Sequence, residues 1–430
     1  MIKRTLSAFL ACAVLALSLC ACGGEGFSGG ERLSDNKKRS DDSATTFNYS
    51  DGAREPPSSY NSFANLITGF ELKLFRGVFR ESDNKDVAFP AACAALTLSQ
   101  LADGAKGDTR SELNLALGSS LSVEALDQSS SYFQSRLQGV SLAGKTDEEK
   151  EEAGKLSLDR WIMLDKTSDA RSAFLQTNAD FYGSEVLRFD FGAPDSTLKI
   201  SVETGSEFSC EKSMTVAFKT SVSDKWLSPS ASVGAGEFKK ADGTAVKRNY
   251  FSSTENYLHT ERAAGIIKYT ADTPLRLIIA MPDEGVDFAD YVRSFDYSEY
   301  SDLLDSFEVT SFTEAELPEF SADAGDLRVD GALEGCGLYS LFSDGADFGN
   351  ISHSELELGA AYSLQNRIAM TAGGISTASA AASADAASSV TKASSSAEKA
   401  LRFDRPFLWI LADNETNIPV LIGTEGMNKE

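Results

Sequence analysis

The chain has only two histidines, His259 and His353, as candidates for a catalytic base or a metal ligand. Neither sits in an HExxH, Walker or GxGxxG pattern, and no G-x-S-x-G elbow presents a nucleophile to them. Two histidines so distant in sequence lack metal-ligand spacing. Cys93, Cys210 and Cys336 fall outside any CxxC spacing, and three thiols cannot all pair, so each reads as a small buried hydrophobe. Carboxylates are plentiful, 64 against 40 basic residues, but abundance on an acidic surface is not a paired acid and base. No enzyme, metal or cofactor is expected, and a net charge of −24 argues against nucleic acid as a partner. These residues suit chemistry done to the chain rather than by it.

Residues 371–400 hold Ala, Ser, Thr or Gly at 24 of 30 positions. Without large apolar side chains this stretch anchors no core, and composition alone reads it as a linker. Yet the C-terminal segment beyond residue 400 is too short for a domain. Pro406–Leu411 and Ile418–Gly423 read as strands around an Asp413-Asn414 turn, and such a hairpin must pair with strands encoded earlier. A long excursion inside one domain points to function: a segment without bulk can be threaded between existing strands. Alternation puts Gly374, Ser376, Ala378, Ala380, Ala382, Ala384 and Ala386 on one face, small enough to slide under helices toward the core. Ile375, Thr377, Ser379, Ala381, Ser383, Asp385 and Ala387 take the other. No proline blocks the ladder. The plainer alternative is an Ala/Ser tether.

The elements around this stretch are mixed. Asn61–Arg80 carries a helical stripe of Phe63, Ile67, Phe70, Leu74 and Val78, and Pro274–Met281 reads as a buried strand. No Pro/Gly-rich boundary interrupts residues 61–370, which favours one large α+β domain.

Phe403-Asp404-Arg405-Pro406-Phe407, then Ile410, Asp413-Asn414 and Gly423, resembles the C-terminal signature of the serpin family. Val87-Ala88-Phe89-Pro90 through Gly104-Ala105-Lys106-Gly107-Asp108-Thr109 is similar to its early strand and helix. Met281-Pro282-Asp283-Glu284, Leu317-Pro318-Glu319-Phe320 and Ala346-Asp347-Phe348 continue the likeness in order. The resemblance implies a serpin fold: a large mixed, mostly antiparallel central sheet, smaller sheets, surrounding helices and an exposed reactive-centre loop. It implies a monomeric serine protease inhibitor that is cleaved, holds the protease as an acyl-enzyme and inserts its loop. The alternative is a serpin-fold binding or adhesion protein that does not inhibit.

The resemblance places the hinge at Gly373, Gly374, Ile375, Ser376, Thr377, Ala378, Ala380 and Ala382. Family spacing counted forward from the hinge glycine reaches Ser388; counted back from Phe403 it reaches Ser395. The reactive-bond candidates are therefore Ala387, Ser388, Ser389, Val390, Thr391, Lys392 and Ala393. Small residues there suit an elastase-like pocket, and Lys392 suits a trypsin-like one. Some positions depart from the family. Ala372 and Gly373 replace the acidic residues before the hinge glycine. Phe89, Ala92, Phe218 and Leu364 fall where polar residues form a network, so an apolar cluster is expected. Trp226 matches the usual Trp at the top of the sheet. The stretch from Phe191 to Trp226 is about a dozen residues short, which puts the helix over the sheet in doubt.

The N-terminus reads as an address. Met1-Ile2-Lys3-Arg4 precedes a short apolar run, Leu6–Leu19, which suits a signal peptide over residues 1–21 rather than a membrane span. Leu19-Cys20-Ala21-Cys22 resembles a bacterial lipobox, with Cys22 the lipidated first mature residue. Residues 22–60 read as a disordered polar tether, and residues 61–430 as the folded domain. The expected location is extracellular, held to the bacterial membrane only through lipid.

Overall fold

The computed structural model describes residues 30–40, 55–83, 85–118, 121–138, 146, 153–192, 197–199, 207–323, 325–364, 367–377 and 400–427. Helix α1 (Tyr60–Glu81) buries Phe63, Ile67, Phe70, Leu74 and Val78, the stripe expected from the sequence. Behind it lie α2 (Ala91–Gly104), α3 (Gly107–Gly118) and α4 (Val123–Gln138). The Ala-rich α2 is buried along nearly its whole length, which small side chains allow at close helix approach.

Two large sheets share one apolar core with these helices. The first is built from β1 (Gly30–Arg32), β3 (Lys155–Asp165), β4 (Glu185–Phe189), β7 (Met214–Lys225), β13 (Phe320–Asp323), β16 (Arg367–Thr371) and β17 (Gly374–Ser376). They run in the order β1-β4-β3-β7-β17-β16-β13, with β15 (Leu358–Ser363) beside β7 and β14 (Leu327–Arg328) beside β15. The second contains β2 (Ala88–Phe89), β8 (Ala231–Lys239), β9 (Ala245–His259), β10 (Ala263–Tyr269), β11 (Leu275–Pro282), β12 (Phe312–Pro318), β18 (Ala400–Arg402), β19 (Phe407–Asp413) and β20 (Pro419–Glu425). The terminal hairpin β19–β20 stands where the sequence puts it, and it pairs with β11 on one side and β2 on the other. Every residue of β11, β19 and β20 is buried, which is why these segments read as continuous apolar runs. The Asp413 turn is held from α4: Arg136 Nε donates to Asp413 Oδ1 at 2.9 Å.

Part of the expected tether is ordered. Residues 30–32 pair antiparallel with β4 as an edge strand of the first sheet. Leu33 is 5% exposed, a burial that contributes roughly 1.5–3 kcal/mol. Ser40 donates from N and Oγ to the Asp180 carboxylate at 2.7 and 2.9 Å. Low apolar content hid this segment, because an edge strand draws its stability from backbone pairing and one anchor.

Between β4 and β7, where the short stretch puts the family's covering helix in doubt, the described residues contain no helix. They form a two-stranded hairpin, β5 (Thr197–Lys199) and β6 (Glu207–Ser209). The sheet face on that side buries Trp161, Met163, Leu187, Phe189, Ala217 and Leu364, with Phe191, Cys210 and Tyr362 packed against them.

The helix α5 (Ser172–Thr177) runs into a π-helical turn over Asn178–Tyr182, closed by Gly183 at φ 65°. There the Tyr182 hydroxyl donates to Asp127 Oδ1 at 2.6 Å, and burial pushes the Asp127 carboxyl up to about 7. A raised carboxyl favours the fold while protonated, so its contribution is full below the unfolded pKa near 4 and lost as pH rises toward 7. Asp127→Asn is expected to raise the melting temperature by a few degrees at pH 8 and to leave it unchanged at pH 4. Equal effects at both pH values would reject this.

Candidate functional site

The loop of interest begins inside the first sheet. After β16 the chain turns at Ala372-Gly373 and re-enters as β17, which pairs with β16 on one side and β7 on the other. Gly374 lies opposite Lys225, Ile375 opposite Asp224 and Ser376 opposite Ser223. Thr377 continues the ladder: its N–H donates to Val222 O at 2.7 Å, and Val222 N–H donates to Thr377 Oγ1 at 2.8 Å. A Cβ at Gly374 would stand 2.0 Å from the Asp224 carbonyl oxygen, so this contact requires glycine. Below Val222 the slot is closed. There β15 pairs directly with β7 from Leu358 opposite Met214 to Ser363 opposite Phe218, and Leu364 N–H donates to Phe218 O at 2.9 Å. The sheet is open at one end and zipped at the other.

This geometry reverses the expected face of the loop. Ile375 is 2% exposed and belongs to the main core, whereas Gly374 and Ser376 are half-buried. Among the described residues Ile375 therefore faces inward, while Gly374 and Ser376 take the outer face. Sequence alternation defines the two sets but not which one the sheet buries. Ala378, Ala380, Ala382 and the reactive-bond candidates Ala387, Ser388, Ser389, Val390, Thr391, Lys392 and Ala393 lie outside the described residues, as does Cys22.

The open end is held by four contacts that the sequence only partly foreshadows. Trp226, matched in sequence, donates Nε1–H to Thr371 O at 2.8 Å. Glu319 Oε1 accepts the Ala372 N–H at 3.2 Å, a carboxylate-to-amide contact where the family's hinge ion pair is missing. Beneath Trp226, Lys268 Nζ lies 5.2 Å from its ring and 2.6 Å from Glu255 Oε1, with both side chains buried. Asp224, 6% exposed, accepts from Thr273 N at 2.7 Å, Thr273 Oγ1 at 2.6 Å and Asp272 N at 3.1 Å. It thereby ties the end of β7 to the β10–β11 turn. An Asp at a strand end reads as a solvated residue, so only the close approach of that turn exposes its role. Asp224→Ala leaves those donors unpaired inside the protein and is expected to cost about 3 kcal/mol. Chemical denaturation checks this, and a loss below about 1 kcal/mol would show that the network adds little.

Two of the four matched shutter positions meet. Phe89 and Phe218 meet edge to face with ring centres 6.2 Å apart, and Ala92 is fully buried in the same core. Leu364 does not join them. It packs on the opposite face with Trp161 and Met163, and Ser363 is the residue opposite Phe218. Strand alternation explains this: Ala361 faces the main core, so Leu364, three residues on, faces away. Cys93, at the start of α2, lies beside this cluster, its Sγ 3.2 Å from Thr220 Oγ1, and burial pushes its thiol up to about 12. His259 and His353 are exposed surface residues, the first stacked on Tyr257 at 5.6 Å.

Comparison with known proteins agrees with this architecture. The profile of Serpin (serine protease inhibitor) matches residues 65–203 and 215–425. Alpha-1-antitrypsin 1-4 of Mus musculus is 21% identical over 391 residues, covering 86% of this chain and 89% of that protein. Alpha-1-antiproteinase of Callosciurus caniceps is 22% identical over 395 residues, covering 86% and 89%. Among solved structures, the thermophilic serpin tengpin in its native state superposes with a TM-score of 0.75 at 22% identity, covering 93% of this chain and all of tengpin. Thyroxine-binding globulin in complex with thyroxine gives 0.70 at 16%, covering 86% of this chain and all of the globulin. With a matching family profile over most of its length and the two sheets and terminal hairpin to go with it, the chain belongs to the serpin family.

Proposed function

We propose that this serpin inhibits a serine protease as a suicide substrate, with residues 371–400 as the bait. The observation that carries the reading is the position of β17: the start of the loop already stands in the slot between β7 and β16. The protease serine attacks a loop carbonyl, the peptide bond breaks, and the chain's new N-terminus leaves as an amine. The upstream segment stays esterified to the protease and is free to extend β17 down the slot. Each step of extension exchanges a β7–β15 pairing for two new ladders, so insertion is downhill once the loop is cut.

The bond lies within Ala387–Ala393, and the run of Ser, Ala, Val and Thr favours an elastase-like pocket over a trypsin-like one reading Lys392. Incubation with each protease class should give a complex stable in denaturant, and mass spectrometry of the released C-terminal peptide should begin within that window. A cut after Lys392 overturns the elastase preference; cleavage without any complex overturns inhibition. Cys22, as the lipidated first residue of a secreted bacterial protein, would hold the inhibitor at the cell surface as a monomer.

A further inference from the structure

We infer that the membrane anchor and the reactive loop lie at opposite poles of the molecule, on a leash far shorter than composition suggests, so that the loop faces the medium. This rests on the Cys22 anchor proposed above. Because residues 30–40 dock on the folded domain, only residues 22–29 separate the anchor from β1. Eight residues span at most about 28 Å when fully extended. A free tether to residue 60 would have reached several times farther.

The strand registers give the direction. Gly30 lies opposite Phe189, Phe189 opposite Asp165, Leu164 opposite Met214, and Met214 opposite Leu358. The anchor side of β1 is therefore level with the start of β7. The hinge is at the other end of that strand, Gly374 opposite Lys225, roughly 36 Å farther along at strand rise. Since β1 runs antiparallel to β4, it enters the sheet at the end away from the hinge. The segment is pinned along its length. Leu33 N–H donates to Val186 O at 2.8 Å, Lys37 Nζ to Ser172 Oγ at 2.7 Å, and Gln176 Nε2 to Lys38 O at 2.9 Å. The acidic body is repelled by anionic headgroups, which favours the hinge pole outermost. Such an orientation suits capture of a soluble protease arriving from outside rather than one embedded in the same membrane.

The test is energy transfer to a headgroup dye in phosphatidylcholine–phosphatidylglycerol vesicles, whose surface is anionic, carrying the full lipidated chain. A Cys210→Ser background takes a single label at Asp344→Cys, near the start of β7, or at Leu227→Cys, beside the hinge pole. Transfer should be several-fold stronger from position 344. A twenty-residue Gly/Ser insert before Gly30 should abolish most of that difference. Equal transfer from both positions, or an insert without effect, overturns the inference. If the native chain fails to float with vesicles, the acyl anchor itself is wrong. The same chain from residue 23 with an N-terminal hexahistidine, held on nickel-chelating lipid, then decides the geometry without it.

Discussion

Thr377→Arg should convert this inhibitor into a substrate. Thr377 is the first residue beyond β17, its backbone and hydroxyl bond Val222, and alternation from the buried Ile375 gives it the inward parity once the strand extends. Loop extension would carry a guanidinium into the apolar core between β7 and β16. An unpaired buried charge costs several kcal/mol, and each 1.4 kcal/mol shifts the partition between trapping and release about tenfold. The stoichiometry of inhibition should rise about tenfold or more, with cleavage unimpaired. The inward parity makes a sharper comparison: Ala381→Arg should act like Thr377→Arg, while Ala380→Arg, on the outer face, should act less. If Ala380→Arg proves the more damaging of the pair, the register of β17 does not continue into the inserted loop.

Cleavage should raise the melting temperature by tens of degrees, and Asp385 should limit that gain. Continuing the β17 register, in which Ser376 opposes Ser223, brings residue 385 opposite Met214 at the zipped end of β7, on the inward face. A carboxylate there leaves water for an apolar site, which raises its pKa above that in the exposed loop. The inserted form therefore gains stability as pH falls and Asp385 is protonated, and loses it as pH rises. Asp385→Ala should raise the melting temperature of the cleaved form by several degrees at pH 8, less at pH 4, and leave the intact form unchanged. The same shift in intact and cleaved protein would show that the strand does not extend so far. The register also requires the cut to lie beyond residue 385 for a full-length strand, in keeping with the window 387–393.

How much of this was legible in the sequence depends on the scale of the interaction. The stripe of α1, the unbroken apolar runs of β11, β19 and β20 and the small-residue loop are written locally, in side-chain volume and period. Burial on one face or both leaves a pattern within ten residues, and the family resemblance followed from the order of such patterns. The short stretch after Phe191 was also visible, since its length is a matter of counting, and its described residues pair as strands.

Tertiary structure alone decided the rest. Which of the loop's two faces turns inward depends on where Ile375 meets β7, because a one-residue shift exchanges the faces without changing the sequence. The same parity moved Leu364 out of the Phe89–Phe218 cluster and set Ser363 opposite Phe218. Asp224 and Glu319 became the holders of the hinge only because a distant turn and an amide were brought to their carboxylates. Residues 30–32 became a strand because β4 offered an unpaired edge, something no composition of the segment itself could announce. Local periodicity determines what an element is; register and edge pairing, set by segments far apart in the chain, determine which of its atoms do the work.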